Sequence, residues 1–208
     1  NWDYGADCTW GACEPFAKHQ IPYYVCPGVQ GWNTFFNNLN LACDNIRTYA
    51  VQGKKHGAIG LLNTDWGDHG HVNLLFNSMH GLAYGAAASW NVAAAGDTAA
   101  FDRAFEALEL GPAAAGAVAV CREIAAAPVL GWAHIANWHR WQAGGDHARA
   151  RSQIVDAAPP AAIAASAQKL AALIPVLAAK LGTTTGDPQN ARELVLGARG
   201  ACLTHQIA

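Results

Sequence analysis

Three short apolar runs, each followed by a polar loop that contains glycine, constrain the fold of this chain more than any other feature. The second run covers residues 21–25 and the third covers residues 58–62, while the first ends at residues 2–4. A helical pattern lies between the second and third runs, with apolar residues recurring at steps of three and four. Strands that alternate with helices are typical of a parallel α/β sheet, so we expect this fold class.

Helical patterns fill the rest of the sequence. The first covers residues 35–50, with Asn33 or Thr34 as its expected cap, and the next covers residues 72–88. From Asp97 onward alanine dominates and the helical periodicity continues. We therefore predict an α/β part over residues 1–96 and an all-helical region over residues 97–208, with Asp97 capping the first helix of that region.

The composition excludes several classes of protein. The sequence is 52% hydrophobic and 13% charged, which permits a sizeable core. It has 13 basic and 15 acidic residues and no basic stripe, so we expect no nucleic-acid partner. Prolines and lysines interrupt the alanine-rich half, so we also expect no membrane span. No CxxC pair occurs, which disfavours a zinc ribbon. A Cys8–Cys13 disulfide stays open as an alternative.

Polar clusters follow all three apolar runs, at residues 2–4, 27–32 and 65–71, and each contains a tryptophan. Ligands of parallel α/β folds bind at the carboxyl ends of strands. Indole rings stack on the C–H faces of pyranoses, and carboxylates accept hydrogen bonds from sugar hydroxyls. The pattern therefore predicts a sugar site. Trp66 and Asp68 are its strongest candidates, because core positions rarely combine a tryptophan with flanking acids.

Other interpretations remain open. Trp32 also fits a core aromatic at a helix start. His69 and His71, with Asp65 and Asp68, could bind zinc or iron in a metal-dependent barrel hydrolase. No further ligand set with a recognisable spacing occurs, so we expect no metal and no cofactor. A third alternative is a non-catalytic carbohydrate-binding module or scaffold that keeps the aromatic residues. We interpret the tryptophans and histidines of residues 132–141 as helix packing.

Four motifs together resemble a known family. They are NWDYG at the start, IPYYVCPGVQGW from residue 21, GLLNTDWGDHGH from residue 60 and GLAYGAAASWN from residue 81. In order and spacing they resemble the closing strands of the catalytic barrel of glycoside hydrolase family 20, the β-N-acetylhexosaminidases, over about residues 1–95. The resemblance implies an α/β fold made of the C-terminal βα units of a (β/α)8 TIM barrel, followed by an all-α region. It also implies removal of terminal β-linked N-acetylhexosamine from glycans by substrate-assisted catalysis, without a cofactor.

The same resemblance assigns roles to individual residues. Trp66 would form part of the aromatic wall around the terminal sugar, and Asp68 would bind the hydroxyls at C4 and C6, where the family more often has Glu. Trp32 and Trp2 would be further wall residues, and Tyr24 would contact the acetamido group. The family's adjacent Asp–Glu catalytic pair does not occur in these 208 residues. We therefore expect the chain to be the C-terminal part of a longer enzyme and inactive by itself.

Overall fold

Helices make up most of the protein. The computed structural model describes residues 2–7 and 13–208. Of these described residues 65% are helical, and they contain one sheet of two short strands. In chain order the elements are α1 (Glu14–Lys18), β1 (Tyr24–Val25), α2 (Leu39–Lys55), β2 (Gly60–Leu61), α3 (Leu75–Trp90), α4 (Thr98–Phe105), α5 (Ala117–Ala125), α6 (Trp132–Ala143), α7 (His147–Val155), α8 (Pro160–Leu181) and α9 (Pro188–Ile207). Cys8 lies outside the described residues, and with it the alternative of a Cys8–Cys13 disulfide.

The sheet is smaller than the sequence predicts. β1 and β2 pair in parallel, with Tyr24 opposite Gly60 and Val25 opposite Leu61, and α2 connects them. The predicted fold class, C-terminal βα units of a TIM barrel followed by an all-α region, is therefore wrong. The described residues instead form a mostly helical fold in which two strands pair only with each other.

Side-chain amides explain why the N-terminal segment is not a third strand. Asn45 of α2 donates its Nδ2 to the carbonyls of Asp3 and Gly5, at 2.9 and 2.8 Å. Gln30 donates its Nε2 to the carbonyl of Tyr4 at 2.9 Å. These bonds satisfy main-chain acceptors that a neighbouring strand would otherwise have to satisfy. The segment therefore lies against α2 and the loop that follows β1, and it does not join the sheet.

Helix α2 begins later than predicted. Its cap is Asn38, whose Oδ1 accepts the N–H of Leu41 at 3.1 Å. Thr34, one of the two expected caps, instead donates its hydroxyl to the carbonyl of Phe36 at 2.9 Å. Asn33, the other, has a φ of 60° and lies in a left-handed turn before the helix. The local hydrogen bond of Thr34 and the left-handed backbone at Asn33 thus favour a turn over four residues in which we expected helix.

The largest apolar cluster includes residues from both sides of Gly96. Its members include Phe36, Leu39 and Phe76 before that point and Phe105, Leu110, Ile124, Leu170, Leu177 and Leu194 after it. Asp97 accepts the N–H of Ala100 at 2.8 Å and caps α4, as its position in the sequence predicts. One apolar cluster therefore spans residues 96 and 97, and the division into two domains at that point stays a prediction.

Helix α8 leaves much of its apolar surface uncovered. It is the one helix of the described residues that is long and apolar enough to cross a membrane, judged by length and composition alone. Pro175 lies inside it without ending it. Only 22% of its most apolar 18-residue stretch is buried in the protein. Core helices pass the same test of length and composition.

His205 of α9 is a buried histidine that joins two segments. Its Nε2 accepts the N–H groups of Val129 and Leu130 at 3.0 and 3.1 Å. Its Nδ1 donates to the carbonyl of Ala201 at 2.8 Å. Only the neutral ring with its proton on Nδ1 makes all three bonds. Burial lowers the pKa of His205 below the ordinary 6.5, and nearby His134 lowers it further, while the bond to Ala201 opposes the shift.

We expect the protein to lose stability as the pH falls below about 6.5, because the unfolded chain then binds a proton that the folded His205 resists. The neutral His205 ring contributes fully to the free energy of unfolding when the pH is above the pKa of this histidine in the unfolded chain. This contribution is lost between that value and the lower folded pKa. Urea unfolding at pH 7.5 and pH 5.5 measures the loss, which His205→Gln should reduce and His147→Gln, an exposed control, should not. An equal loss in wild type and His205→Gln would contradict this assignment.

Candidate functional site

The loops that follow β1 and β2 lie side by side. Val29 donates its N–H to the carbonyl of Thr64 at 2.9 Å, and the Thr64 hydroxyl donates to the carbonyl of Pro27 at 2.8 Å. Asn45, which is fully buried, accepts the N–H of Gly28 at 3.0 Å and also binds the N-terminal segment. The two strand ends and the N-terminal segment therefore meet at one edge of the sheet.

Three aromatic side chains from these three segments form a continuous row, which we call the aromatic row (Trp66, Tyr4 and Trp32). The indole N–H of Trp66 donates to the hydroxyl of Tyr4. The rings of Tyr4 and Trp32 have centroids 4.5 Å apart and an interplanar angle of 57°. A Cβ added at Gly28 would lie 2.7 Å from the Trp32 ring and 3.0 Å from the Tyr4 ring. Only glycine therefore fits beneath this row.

A polar cluster lies next to the aromatic row, around Gly31. A Cβ at Gly31 would lie 2.7 Å from both Asp65 Oδ1 and Asn73 Nδ2. Asn73 Nδ2 donates to Ser78 at 2.9 Å and to Asn37 at 3.3 Å. Asp65 Oδ1 and Asn73 Oδ1 are buried, and no described residue donates a hydrogen bond to either. Such buried acceptors cost about 1–3 kcal/mol each unless a donor reaches them, so this cluster has acceptors that the described side chains do not satisfy.

The segment after Trp66 forms a tight turn. Asp68 begins a 3-10 turn over Asp68–Gly70 and is exposed, and both His69 and His71 have left-handed φ angles, 53° and 51°. His71 Nε2 lies 3.8 Å from Asp65 Oδ2. Within residues 2–7 and 13–208, no group of three His, Cys, Asp or Glu side chains could hold a metal ion. The metal-dependent alternative therefore has no complete ligand set in this part of the chain.

The predicted site residues do not all lie together. Trp66 and Trp32 are joined through Tyr4, while Asp68 lies in the exposed turn and Trp2 is exposed. Tyr24 lies on β1, where its ring packs over Gly60 of β2. Trp32 also lines a cavity of about 230 Å³ with residues 128–131, and neither Trp66 nor Asp68 lines that cavity.

Helix α6 holds the two strand-end loops in place. Trp132 donates its backbone N–H to the carbonyl of Asn33 at 2.6 Å and its indole N–H to the carbonyl of His69 at 3.0 Å. The rings of Trp132 and Phe35 are 5.5 Å apart in an edge-on arrangement. Trp141 packs beneath Arg149, whose Cζ is 3.7 Å from the ring centroid. Trp132 thus supports the site through packing and hydrogen bonds, whereas Trp141 packs against α7.

Three residues of this site are absent from the predicted set: Tyr4, Asp65 in a sugar-binding role, and Asn45. Tyr4 is two residues from Trp2, and period-2 alternation would have placed both on one side of a strand. Asn45 is a polar residue on the apolar face of α2, between Ala42 and Tyr49. A buried amide needs hydrogen-bond partners, so an asparagine on the apolar face of a helix indicates that another segment of the chain binds it there.

Comparison with family models, with curated proteins and with solved structures finds no match to this chain.

Proposed function

We propose that this chain binds carbohydrate at the strand-end loops, as the substrate-binding part of a glycoside hydrolase that removes terminal β-linked N-acetylhexosamine. The observation that carries the proposal is the aromatic row, in which the exposed Trp66 is flanked in sequence by the partly buried Asp65 and the exposed Asp68. Stacking surface and free acceptors next to each other are what a pyranose requires.

The indole of Trp66 is well suited to stacking. Its N–H is engaged by the Tyr4 hydroxyl, which fixes the orientation of the ring. The side chain is nevertheless 47% exposed, so part of the ring remains free to contact a ligand. A fixed ring loses little conformational entropy on binding, which favours affinity.

Two carboxylates lie within three residues of this ring and give the site its polar character. Asp65 lies beside Gly31 with its side chain 15% exposed, and Asp68 is exposed in the turn that follows. Ionised carboxylates accept hydrogen bonds from sugar hydroxyls, and such charge-assisted bonds are the stronger kind. We assign Asp65 and Asp68 to substrate binding.

The proposal gives this chain no role in bond cleavage. The adjacent Asp–Glu pair that the resemblance links to catalysis does not occur in the sequence. In substrate-assisted hydrolysis the acetamido oxygen of the sugar is the nucleophile, so the binding residues must orient that group. The resemblance gives this role to Tyr24, whose position on β1 is farther along the sheet than the strand-end loops.

A non-catalytic carbohydrate-binding module is the second candidate. The exposure of Trp66 favours it, because an open aromatic platform binds one face of a sugar without enclosing it. The two candidates differ in the ligand they prefer. A hexosaminidase site requires the acetamido group, whereas a simple platform should bind glucose and N-acetylglucosamine equally well.

Titration of N-acetylglucosamine, N-acetylgalactosamine and glucose, followed by NMR, tests the proposal. We expect Trp66→Ala to weaken binding by about 2 kcal/mol, roughly thirtyfold, as for a central aromatic contact. Asp65→Asn and Asp68→Ala should each weaken the free energy of sugar binding by about 1.5–3 kcal/mol, because each removes a charged acceptor for a sugar hydroxyl. Trp90→Ala is the matched control, because Trp90 is 93% exposed at the end of α3.

Two results would count against the proposal. If none of the three sugars shifts resonances of the strand-end loops, the chain does not bind carbohydrate there. If Trp66→Ala and Trp90→Ala weaken binding equally, the site lies elsewhere. Binding of all three sugars with equal affinity would favour the non-catalytic module over the hexosaminidase.

A further inference from the structure

We propose that the groove between α8 and α9 binds an anionic amphiphile, with its carboxylate at Arg192 and Arg199 and its hydrocarbon chain against the groove walls. This site is separate from the strand-end loops, and the inference does not depend on the proposed carbohydrate function. It rests on the shape of the groove, on the charges at its rim and on the uncovered apolar surface beside it.

The groove has a volume of about 540 Å³, within the usual range for small-molecule sites. Ala178 and Leu181 of α8 form one wall, and Val195 and Leu196 of α9 form the other. Leu196 is 51% exposed, so the hydrocarbon surface of the groove is open to solvent. Burying such a surface against a ligand chain is favourable in proportion to the area removed from water.

The rim of the groove carries two arginines that lack counter-charges. Arg192 and Arg199 are both exposed and both line the groove. They are seven residues apart on α9, which places them about two turns, or roughly 10 Å, apart along one side of the helix. Neither forms an ion pair with any residue that the structure describes. A guanidinium binds a carboxylate through two parallel hydrogen bonds.

The acids nearest in sequence to these arginines are already engaged. Asp187 accepts the N–H of Gln189 at 2.8 Å and caps α9. Glu193 accepts the N–H of Phe76 at 2.8 Å and the side-chain amide of Gln189 at 3.2 Å. The positive charge at the groove therefore favours an anion from outside the described chain.

The shape of the groove favours a single hydrocarbon chain over a protein helix. α8 and α9 are in direct contact, and Cys202 Sγ of α9 lies 3.7 Å from the Ala167 carbonyl of α8. A groove of about 540 Å³ is in the size range of small-molecule sites, whereas a stable protein interface buries about 800 Å² on each partner. A second copy of the chain is also disfavoured as the occupant, because its own arginines would face the same positive rim.

Isothermal titration of the purified chain with dodecanoate, kept below its micelle concentration, tests the inference. Acetate supplies the charge without the chain, and a neutral dodecyl polyether supplies the chain without the charge. We expect one dodecanoate per protein and much weaker binding of both control compounds. The double variant Arg192→Gln/Arg199→Gln should lower the affinity for dodecanoate at least tenfold, as loss of a charged hydrogen-bonded contact does. Arg151→Gln, another exposed arginine, should leave it unchanged.

A second variant tests the hydrocarbon part of the site. Ala178→Leu fills the groove and should also lower the affinity at least tenfold, whereas Ala179→Leu at the neighbouring exposed position should not. Dodecanoate binding that neither the arginine pair nor Ala178→Leu weakens would overturn the inference. So would sedimentation with vesicles of phosphatidylglycerol and phosphatidylcholine without binding of monomeric dodecanoate, which would indicate a membrane-surface site instead. Circular dichroism of each variant confirms that it is folded.

Discussion

Arg122→Ala should lower the free energy of unfolding by about 3–5 kcal/mol, because it leaves a partly buried carboxylate without its main partner. Arg122 of α5 donates its Nε to Asp102 Oδ2 at 2.6 Å and its Nη2 to Asp102 Oδ1 at 2.8 Å. Its Nη1 donates to Asn40 of α2 at 3.0 Å. His80 of α3 lies 2.8 Å from Asp102 Oδ1. One network therefore joins four helices, α2 to α5.

Urea unfolding measures this effect, and Arg103→Ala is its matched control. Arg103 is the next residue after Asp102 on α4, but it is exposed and forms no ion pair among the described residues. Its replacement should change the free energy of unfolding by less than about 0.5 kcal/mol, as exposed substitutions usually do. Equal losses in the two variants would show that the Arg122 network does not stabilise the fold.

The same network gives the protein an acid-sensitive component of stability. Burial alone would raise the pKa of Asp102, but hydrogen bonds from His80 and Arg122 outweigh burial and hold the pKa below its ordinary 3.8. A depressed pKa means that this carboxylate stabilises the fold fully above the unfolded pKa and loses that contribution as the pH falls through the folded pKa. The loss from Arg122→Ala should therefore be large at pH 7 and smaller once the pH falls below the depressed pKa of folded Asp102.

Leu170→Ala should lower the free energy of unfolding by about 2–5 kcal/mol, which is the usual range for a fully buried leucine replaced by alanine. Leu170 of α8 is fully buried, in the apolar cluster that also contains Ile124 of α5 and Ala198 of α9. Close packing around it prevents the neighbours from collapsing into the space that the substitution leaves. The loss thus combines lost hydrophobic transfer with an internal cavity.

Leu108→Ala is the control for this second prediction, because Leu108 is 82% exposed and outside the core. It should change the free energy of unfolding by less than about 0.5 kcal/mol. Thermal and urea unfolding of both variants at neutral pH provide the comparison. A loss below about 1 kcal/mol in Leu170→Ala would mean that α8 does not pack as a core helix, and that its apolar composition serves another purpose.

Local features were predictable because they depend on neighbours in sequence. Apolar residues at steps of three and four indicated α2 and α3, and the apolar runs indicated the two parallel strands. Asp97 was recognisable as a helix cap, since a cap needs only the next three residues. The meeting of Trp32 and Trp66 at neighbouring strand ends also followed from this local pattern, although Tyr4, which joins them, did not.

Long-range features were not predictable from the same patterns. The N-terminal run reads as a strand, but Asn45 and Gln30 bind its carbonyls and keep it out of the sheet. An apolar pattern alone does not make a strand, because the main chain of a strand also needs a partner strand to hydrogen-bond with. The TIM-barrel prediction is wrong partly for this reason. Whether a partner is present is a property of the folded chain.

The sequence by itself determined that α2, α3 and the two parallel strands form, that Asp97 caps the start of α4, and that tryptophans and acids follow the strands. Only the tertiary structure decided that the sheet stops at two strands and that Asp65, not Asp68, has a buried oxygen beside the aromatic row. It also brought Arg122 to Asp102, twenty residues away, and to Asn40, eighty-two residues away. Periodicity and capping act over a few residues, whereas burial and hydrogen-bond partners depend on which distant segments pack together.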